Sequence, residues 1–295
     1  MITGAGGRTG RAAASHLLAH GHAVRVVGRD PSRLADLTGR GAEPRRADQS
    51  DPAAMAAALH GAEAAYLVLQ PNYLPDHPDF AAFQDRAAAA LAEAVAESGV
   101  PRVVALSSWG AQHASGTGPV AGLHRFEERL SAVPGVHLTF LRAGYYLENF
   151  LDHVDSVRTH RTITAPFDPD VPLPMITTSD VGVAAAEELL RPRPGTPIVR
   201  ELHGARDVTM HEVARAIATA IGHPVTYERC TTQAFDERLR SAGVSDSVRA
   251  MMTEVPHAVN TGHLRAVQRR TPDTTTPTSL EDFIEAEFVP ALGTR

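Results

Sequence analysis

The chain has 295 residues, 43% of them hydrophobic, and a formal net charge of −6. That suffices for one large core, or a main core with a smaller appendage, and the acidic balance disfavours nucleic-acid binding by a broad basic face. A single cysteine, Cys230, excludes an intrachain disulfide and a cysteine-rich zinc site. All 28 basic residues are arginine, which also excludes a lysine Schiff base, a phosphate-loop lysine and a Tyr-x-x-x-Lys pair.

The opening, MITGAGGRTG, places glycine at 4, 6, 7 and 10 after only two apolar residues. RTGRAAASHLLAHG then reads as a helix of good helix formers stopped at Gly21, and HAVRVVGRD as a valine-rich strand. A glycine loop before a helix lets a ligand approach the main chain and offers unpaired N–H groups to a phosphate. This is the physics of a dinucleotide loop in a βαβ unit, with Gly4, Gly7 and Gly10 in the turn and Arg8 and Thr9 at its tip. The strand before it is very short, or residues precede Met1.

DPAAMAAALHGA reads as a helix capped by Asp51, AAYLVLQ as a buried strand, and DFAAFQDRAAAALAEAVAESGV as a long helix ending at Gly99. RVVALSS is a strand, AGLHRFEERLSAVPG a helix and VHLTFLRAG a strand. Alternating strands and helices imply an α/β fold: a doubly wound parallel sheet covered on both faces. After Phe150 the pattern loosens. TAPFDPDVPLPMITTSD reads as a loop and SDVGVAAAEELL as a capped helix. PIVRELHG reads as a strand, and TMHEVARAIATAIG, TQAFDERLRSAG and SLEDFIEAEF as short helices. The division expected is a nucleotide-binding domain over 1–150, taking in about 176–203, and a smaller, mostly helical substrate lobe over 151–295. No apolar run approaches ~18 residues and no signal peptide is visible, so a cytoplasmic chain with no membrane association is expected.

Ligands of such folds bind beyond the carboxyl ends of the strands. After the second strand come Gly28, Arg29 and Asp30, then Arg33. Two arginines there suit a ribose 2′-phosphate, held by forked, charge-assisted bonds, so NADP is favoured over NAD. Asp30 also suits the cap of the next helix. The following strand tips bring Asp48, a candidate for the adenine, then Leu69 and Gln70, then Ser107, then LRAGYYLENF. His16, His20 and His22 have metal-like spacing, but no carboxylate or cysteine completes a set, so a solvated helix face is expected. His211-Glu212 lacks a second zinc-protease histidine, and LSSWG is not a G-x-S-x-G elbow.

The ordered set TGAGGRTG, VRVVGRDPSR, VVALSSWGA, HRFEERL, LRAGYYLENF, ITTSDVG and TPTSLEDFI resembles the NmrA-like family, an atypical branch of the short-chain dehydrogenase/reductases. Within it the chain looks most like the NAD(P)H:quinone oxidoreductase type 2 group. The resemblance implies a Rossmann domain and a reductase that passes a hydride from NADPH to a small flat acceptor such as a quinone or enone. The branch also holds non-catalytic NADP sensors that regulate a partner protein, and that reading stays open. The family's cofactor residues carry over to Gly4, Gly7, Arg8, Thr9, Gly10, Arg29 and Arg33. Those facing the nicotinamide fall at Leu69, Gln70, Ser107, Tyr145, Tyr146 and Asn149. Several relatives have lysine near the start of the HRFEERL helix. This chain has His124, four residues before Glu128, as a cofactor contact or proton donor. Its structural alternative is a histidine bonding a backbone carbonyl. Tyr145, Tyr146 and Phe167 are the candidates for stacking on a flat acceptor. Self-association is left open.

Overall fold

The computed structural model describes residues 1–69, 76–191 and 195–293. The main sheet is parallel throughout. Its strands are β1 (Arg25–Gly28), β2 (Glu43–Arg46), β3 (Ala65–Val68), β4 (Arg102–Ser108), β5 (His137–Ala143) and, later in the chain, β9 (Ile198–Leu202). The opening segment enters between β1 and β3 through bridges at Ile2 to both Val26 and Tyr66, so the order is β2-β1-Ile2-β3-β4-β5-β9.

The short opening strand works because a side chain extends it. Ile2 bonds the backbone of Arg25 and Val27, and Thr3 N donates to Tyr66 O at 2.9 Å. Beyond Thr3 the loop turns away, and the Thr3 hydroxyl takes over: Val68 N donates to Thr3 Oγ1 at 2.8 Å. Ile2 is wholly buried.

Alternation along the strands sorts side chains to two faces. Val27, Leu67, Val103, Ala105 and Phe140 pack under α3 (Pro52–Leu59), α4 (Phe80–Ser98) and α5 (Val120–Ser131). Val26, Tyr66, Val68, Val104 and Leu141 pack under α1 (Arg8–Ala19) and α7 (Thr178–Leu190). Both α1 and α7 start at the carboxyl end of the sheet, as crossovers between parallel strands require.

The later residues build a separate apolar cluster. Phe150, Ile163, Phe167, Leu173 and Met175 pack with Met210, Val213, Ile217, Val259, Phe283 and Phe288. The structure differs from the sequence reading here. The proline-rich stretch read as a loop contains β8 (Leu173–Ile176). It pairs in parallel with β6 (Tyr145–Tyr146) and antiparallel with β10 (Asp207–Val208). Prolines at 172 and 174 hide it, and its partners lie about thirty residues away on each side. A further parallel pair joins β7 (Thr162–Ala165) to β11 (Thr226–Arg229). Asp246–Asn260 is a helix that carries Pro256 inside it, so it also went unread.

Candidate active site

At the carboxyl end of the sheet the glycine loop meets the start of α1. Gly7 caps this helix with no side-chain hydrogen bond, and its first turn holds no acidic residue. Gly4 turns the chain at φ +61°. A Cβ on Gly10 would stand 2.4 Å from Gly4 O and 2.8 Å from Thr3 O, so only glycine lets the loop lie on the helix. The result is a glycine turn laid on a helix start whose first N–H groups have no intrahelical partner, which suits a diphosphate. Thr9 is buried within it. Arg8 projects outward, and its Nη1 lies 3.0 Å from Glu287 Oε2. The end of the chain thus reaches the loop.

The next strand tip carries Arg29, Asp30 and Arg33. Asp30 caps a 3-10 turn: its Oδ1 accepts from Ser32 N at 3.0 Å and from Ser32 Oγ at 2.7 Å. Those two bonds, with Arg33 and Arg46 nearby, hold its carboxyl below the usual range. Arg33 leans over the loop, with its Nε 4.0 Å from where a Gly6 Cβ would be. Among the described residues, neither Arg29 nor Arg33 carries a side-chain hydrogen bond or ion pair, whereas nearby Arg11, Arg25 and Arg40 do. Asp48 is exposed; its Oδ1 accepts from Ser50 N and Oγ at 2.9 and 2.7 Å. Those bonds, and Arg29 more weakly, lower its pKa.

The far end of the cleft follows β4 and β5. Leu69 is buried, and Gln70 lies outside the described residues. The Ser107 hydroxyl turns inward, 2% exposed, and donates to Glu127 Oε1 at 2.5 Å. His124 Nδ1 is 2.8 Å from Ala111 O, which makes it the N–H donor and leaves Nε2 to face Glu128 Oε1 at 3.4 Å. The ring is fixed by a backbone carbonyl, with one nitrogen still directed elsewhere. Tyr145 meets Phe167 edge-on at 5.5 Å and Phe150 at 5.9 Å. Burial pushes the Tyr145 phenol up to about 12, against a smaller opposing effect of the exposed Asn149. Tyr146, half-buried, is paired with Ile176.

The NmrA-like family model matches residues 1–284. The chain belongs to that family. A relative in Streptomyces griseus subsp. griseus, (4-alkanoyl-5-oxo-2,5-dihydrofuran-3-yl)methyl phosphate reductase, is 27% identical over 273 residues, covering 92% of this chain and 86% of the relative. Quinone oxidoreductase 2 of Escherichia coli K12 is 27% identical over 267 residues, covering 89% and 88%. The crystal structure of Escherichia coli NADPH-dependent quinone oxidoreductase QOR2 complexed with NADPH aligns at a TM-score of 0.80 and 23% identity, over 97% of this chain and 99% of that one.

Two motifs of this NmrA-like chain now have a physical account. In HRFEERL, Glu127 is the buried partner of Arg142 from LRAGYYLENF: Nε donates to Oε1 at 2.9 Å and Nη2 to Oε2 at 2.6 Å. The pair ties α5 to β5 and holds Ser107 between them. In LRAGYYLENF, a Cβ on Gly144 would stand 1.9 Å from Pro174 O, so this glycine lets β8 cross the tip of β5. Glu148, from the same motif, is buried at the start of α7, where Oε1 accepts from Thr178 N at 2.7 Å and from Thr178 Oγ1. Sequence reading missed Glu127 and Glu148. An acid inside an apolar-periodic helix, and one beside two aromatics, were the available signals.

Proposed function

We propose that this NmrA-like chain is an NADPH-dependent reductase that acts on a small, flat, electron-poor acceptor such as a quinone or enone. The observation that carries it is the glycine-lined start of α1 beside Arg29 and Arg33, which form no side-chain hydrogen bond or ion pair among the described residues. It is the shape and charge of a diphosphate and a 2′-phosphate. The curated relatives, both named as reductases or oxidoreductases, support the redox reading.

Gly4, Gly7 and Gly10 present the backbone to the diphosphate, with the exposed Arg8 at the rim and the buried Thr9 contributing its helix N–H. Arg29 and Arg33 take the 2′-phosphate and Asp48 the adenine. Leu69, Ser107, Tyr146 and Asn149 form the nicotinamide end, with Ser107 acting through its backbone position because its hydroxyl is tied to Glu127. The cofactor, when bound, supplies the hydride. The chain's own contribution is to orient the two rings face to face and to exclude water. Tyr145 and Phe167 form an aromatic wall for the acceptor. The acceptor oxygen of the reduced product takes a proton, and His124, whose Nε2 is directed away from the Ala111 carbonyl, is the assigned donor. Residues 151–175 and 204–293, which supply most of the second apolar cluster, form the lobe that selects the acceptor; Glu287 already meets the loop from that side.

The test is a titration with NADPH and NADH, followed by NADPH oxidation against a panel of quinones, dyes and enones. Tighter NADPH binding and turnover with a quinone or enone are expected. Arg29→Ala should weaken NADPH by ~1.5–3 kcal/mol, the worth of a bond to a charged group. Equal affinity for both cofactors would sink the 2′-phosphate assignment. Binding without turnover across the panel would assign the chain to the sensor role instead.

A further inference from the structure

A third arginine stands beside the pair that sequence reading singled out. Arg46 ends β2, where its Cα partner across the parallel ladder is Gly28, the residue just before Arg29. Partners in a parallel ladder share a face, and side chains alternate along a strand. Arg46 therefore lies on the face of Gly28 and Val26. That is the face covered by α1 and by Leu34, whose Cδ1 is 3.4 Å from where a Gly28 Cβ would be. Arg45 lies on the opposite face, where it forms an ion pair with Glu43, itself bonded to Arg25.

The two neighbours on β2 thus differ in commitment. Arg45 is neutralised locally. Arg46 is exposed and, among the described residues, has no hydrogen bond or ion pair. Its charge reaches the Asp30 carboxyl, as does that of Arg33. Two acids lie in electrostatic reach, Asp30 of Arg33 and Arg46 and Asp48 of Arg29, and the hydrogen bonds that each accepts come from a serine, Ser32 or Ser50. Three guanidinium groups that form no side-chain hydrogen bond or ion pair among the described residues therefore gather at the ends of two adjacent strands, on the side of the glycine loop, in a chain whose net charge is −6. Three guanidinium charges against two carboxylates leave the cluster net positive, which favours an anion there.

We propose that Arg46 is a cofactor-specificity residue that completes, with Arg29 and Arg33, a three-arginine clamp on the 2′-phosphate. The proposal rests on the NADPH reading above. A dianionic monoester has three outer oxygens, so three guanidinium groups can each find an acceptor. The clamp's effect is confined to cofactors carrying that phosphate.

The experiment compares Arg46→Gln with Arg45→Gln, which removes the same charge one residue away on the other face. Calorimetry would measure NADPH, NADH, 2′,5′-ADP and 5′-AMP on both variants and the unmodified protein. In Arg46→Gln, NADPH and 2′,5′-ADP should weaken about tenfold while NADH and 5′-AMP stay within about twofold, the size expected for a bond to a charged group. Arg45→Gln should leave all four near their starting values. Equal losses in the two variants would reduce Arg46 to a general field effect and overturn the proposal, as would equal losses of NADPH and NADH in Arg46→Gln. If the unmodified protein binds none of the four probes, the NADPH reading itself falls and the clamp with it. Tight NADPH binding that is indifferent to Arg46→Gln removes the clamp alone.

Discussion

Arg142 Nη2 and Glu127 Oε2 lie 2.6 Å apart with their side chains only 10% and 9% exposed. Breaking such a pair from one side leaves a buried charge without a partner, which costs about 3–5 kcal/mol. Glu127→Ala should therefore lower the unfolding free energy by that amount in urea titrations. The double replacement Glu127→Leu with Arg142→Met should recover most of it, because neither charge then remains. A loss below ~1 kcal/mol in the single variant would show that water reaches Arg142 in solution.

Gly10→Ala places a methyl against two backbone oxygens that cannot swing aside. The loop must move off α1, and overpacking of this kind costs about 1–3 kcal/mol. The displaced loop no longer presents its N–H groups to the diphosphate. NADPH affinity should fall at least tenfold, with a modest loss of thermal stability. Unchanged affinity would mean that the loop is not the diphosphate site.

His124→Ala separates two roles. Loss of a general acid lowers turnover by ~10²-fold with little change in cofactor affinity. Loss of a positional contact weakens NADPH binding instead. If both stay unchanged in a folded variant, the bond from Nδ1 to Ala111 O is the whole function of the ring. Steady-state kinetics paired with direct NADPH titration reads the three outcomes apart.

Burial raises the Glu148 carboxyl above the usual range, against opposing bonds from Thr178 and with a small further push from Glu287. Its folded pKa thus exceeds its unfolded one, so the folded state binds the proton more tightly. The stability this contributes is complete below the unfolded pKa of about 4.3. It is lost as pH rises through that value toward the raised folded value, and levels off above it. Glu148→Gln keeps an acceptor oxygen for Thr178 and has no titration. Its unfolding free energy should gain on that of the unmodified protein as pH rises from about 4, then run parallel. A constant difference across the range would contradict the raised pKa.

The nucleotide half of the fold was legible in sequence because its signals are local. Glycine spacing before a helix, valine-rich runs, and the cap at Asp51 each act within a few residues. The parallel sheet follows from their alternation, since a crossover leaves little topological choice. The arginines after β1 were legible as candidates for the same reason: the end of β1 sets their place in the turn beside the glycine loop. The opening strand shows the limit of local reading. Two apolar residues promise little by themselves, and its place between β1 and β3 is fixed by ladder bonds to Arg25, Val27 and Tyr66 and by the Thr3 hydroxyl. β8 shows it again, because proline lowers its strand signal while Tyr145 and Asp207, distant in sequence, supply its pairing. Only tertiary structure could turn the Ser107 hydroxyl from the cleft toward Glu127, or distinguish Arg46 from Arg45. Both decisions depend on which face a side chain shares with partners far along the chain, and burial and charge pairing set them after the elements have packed.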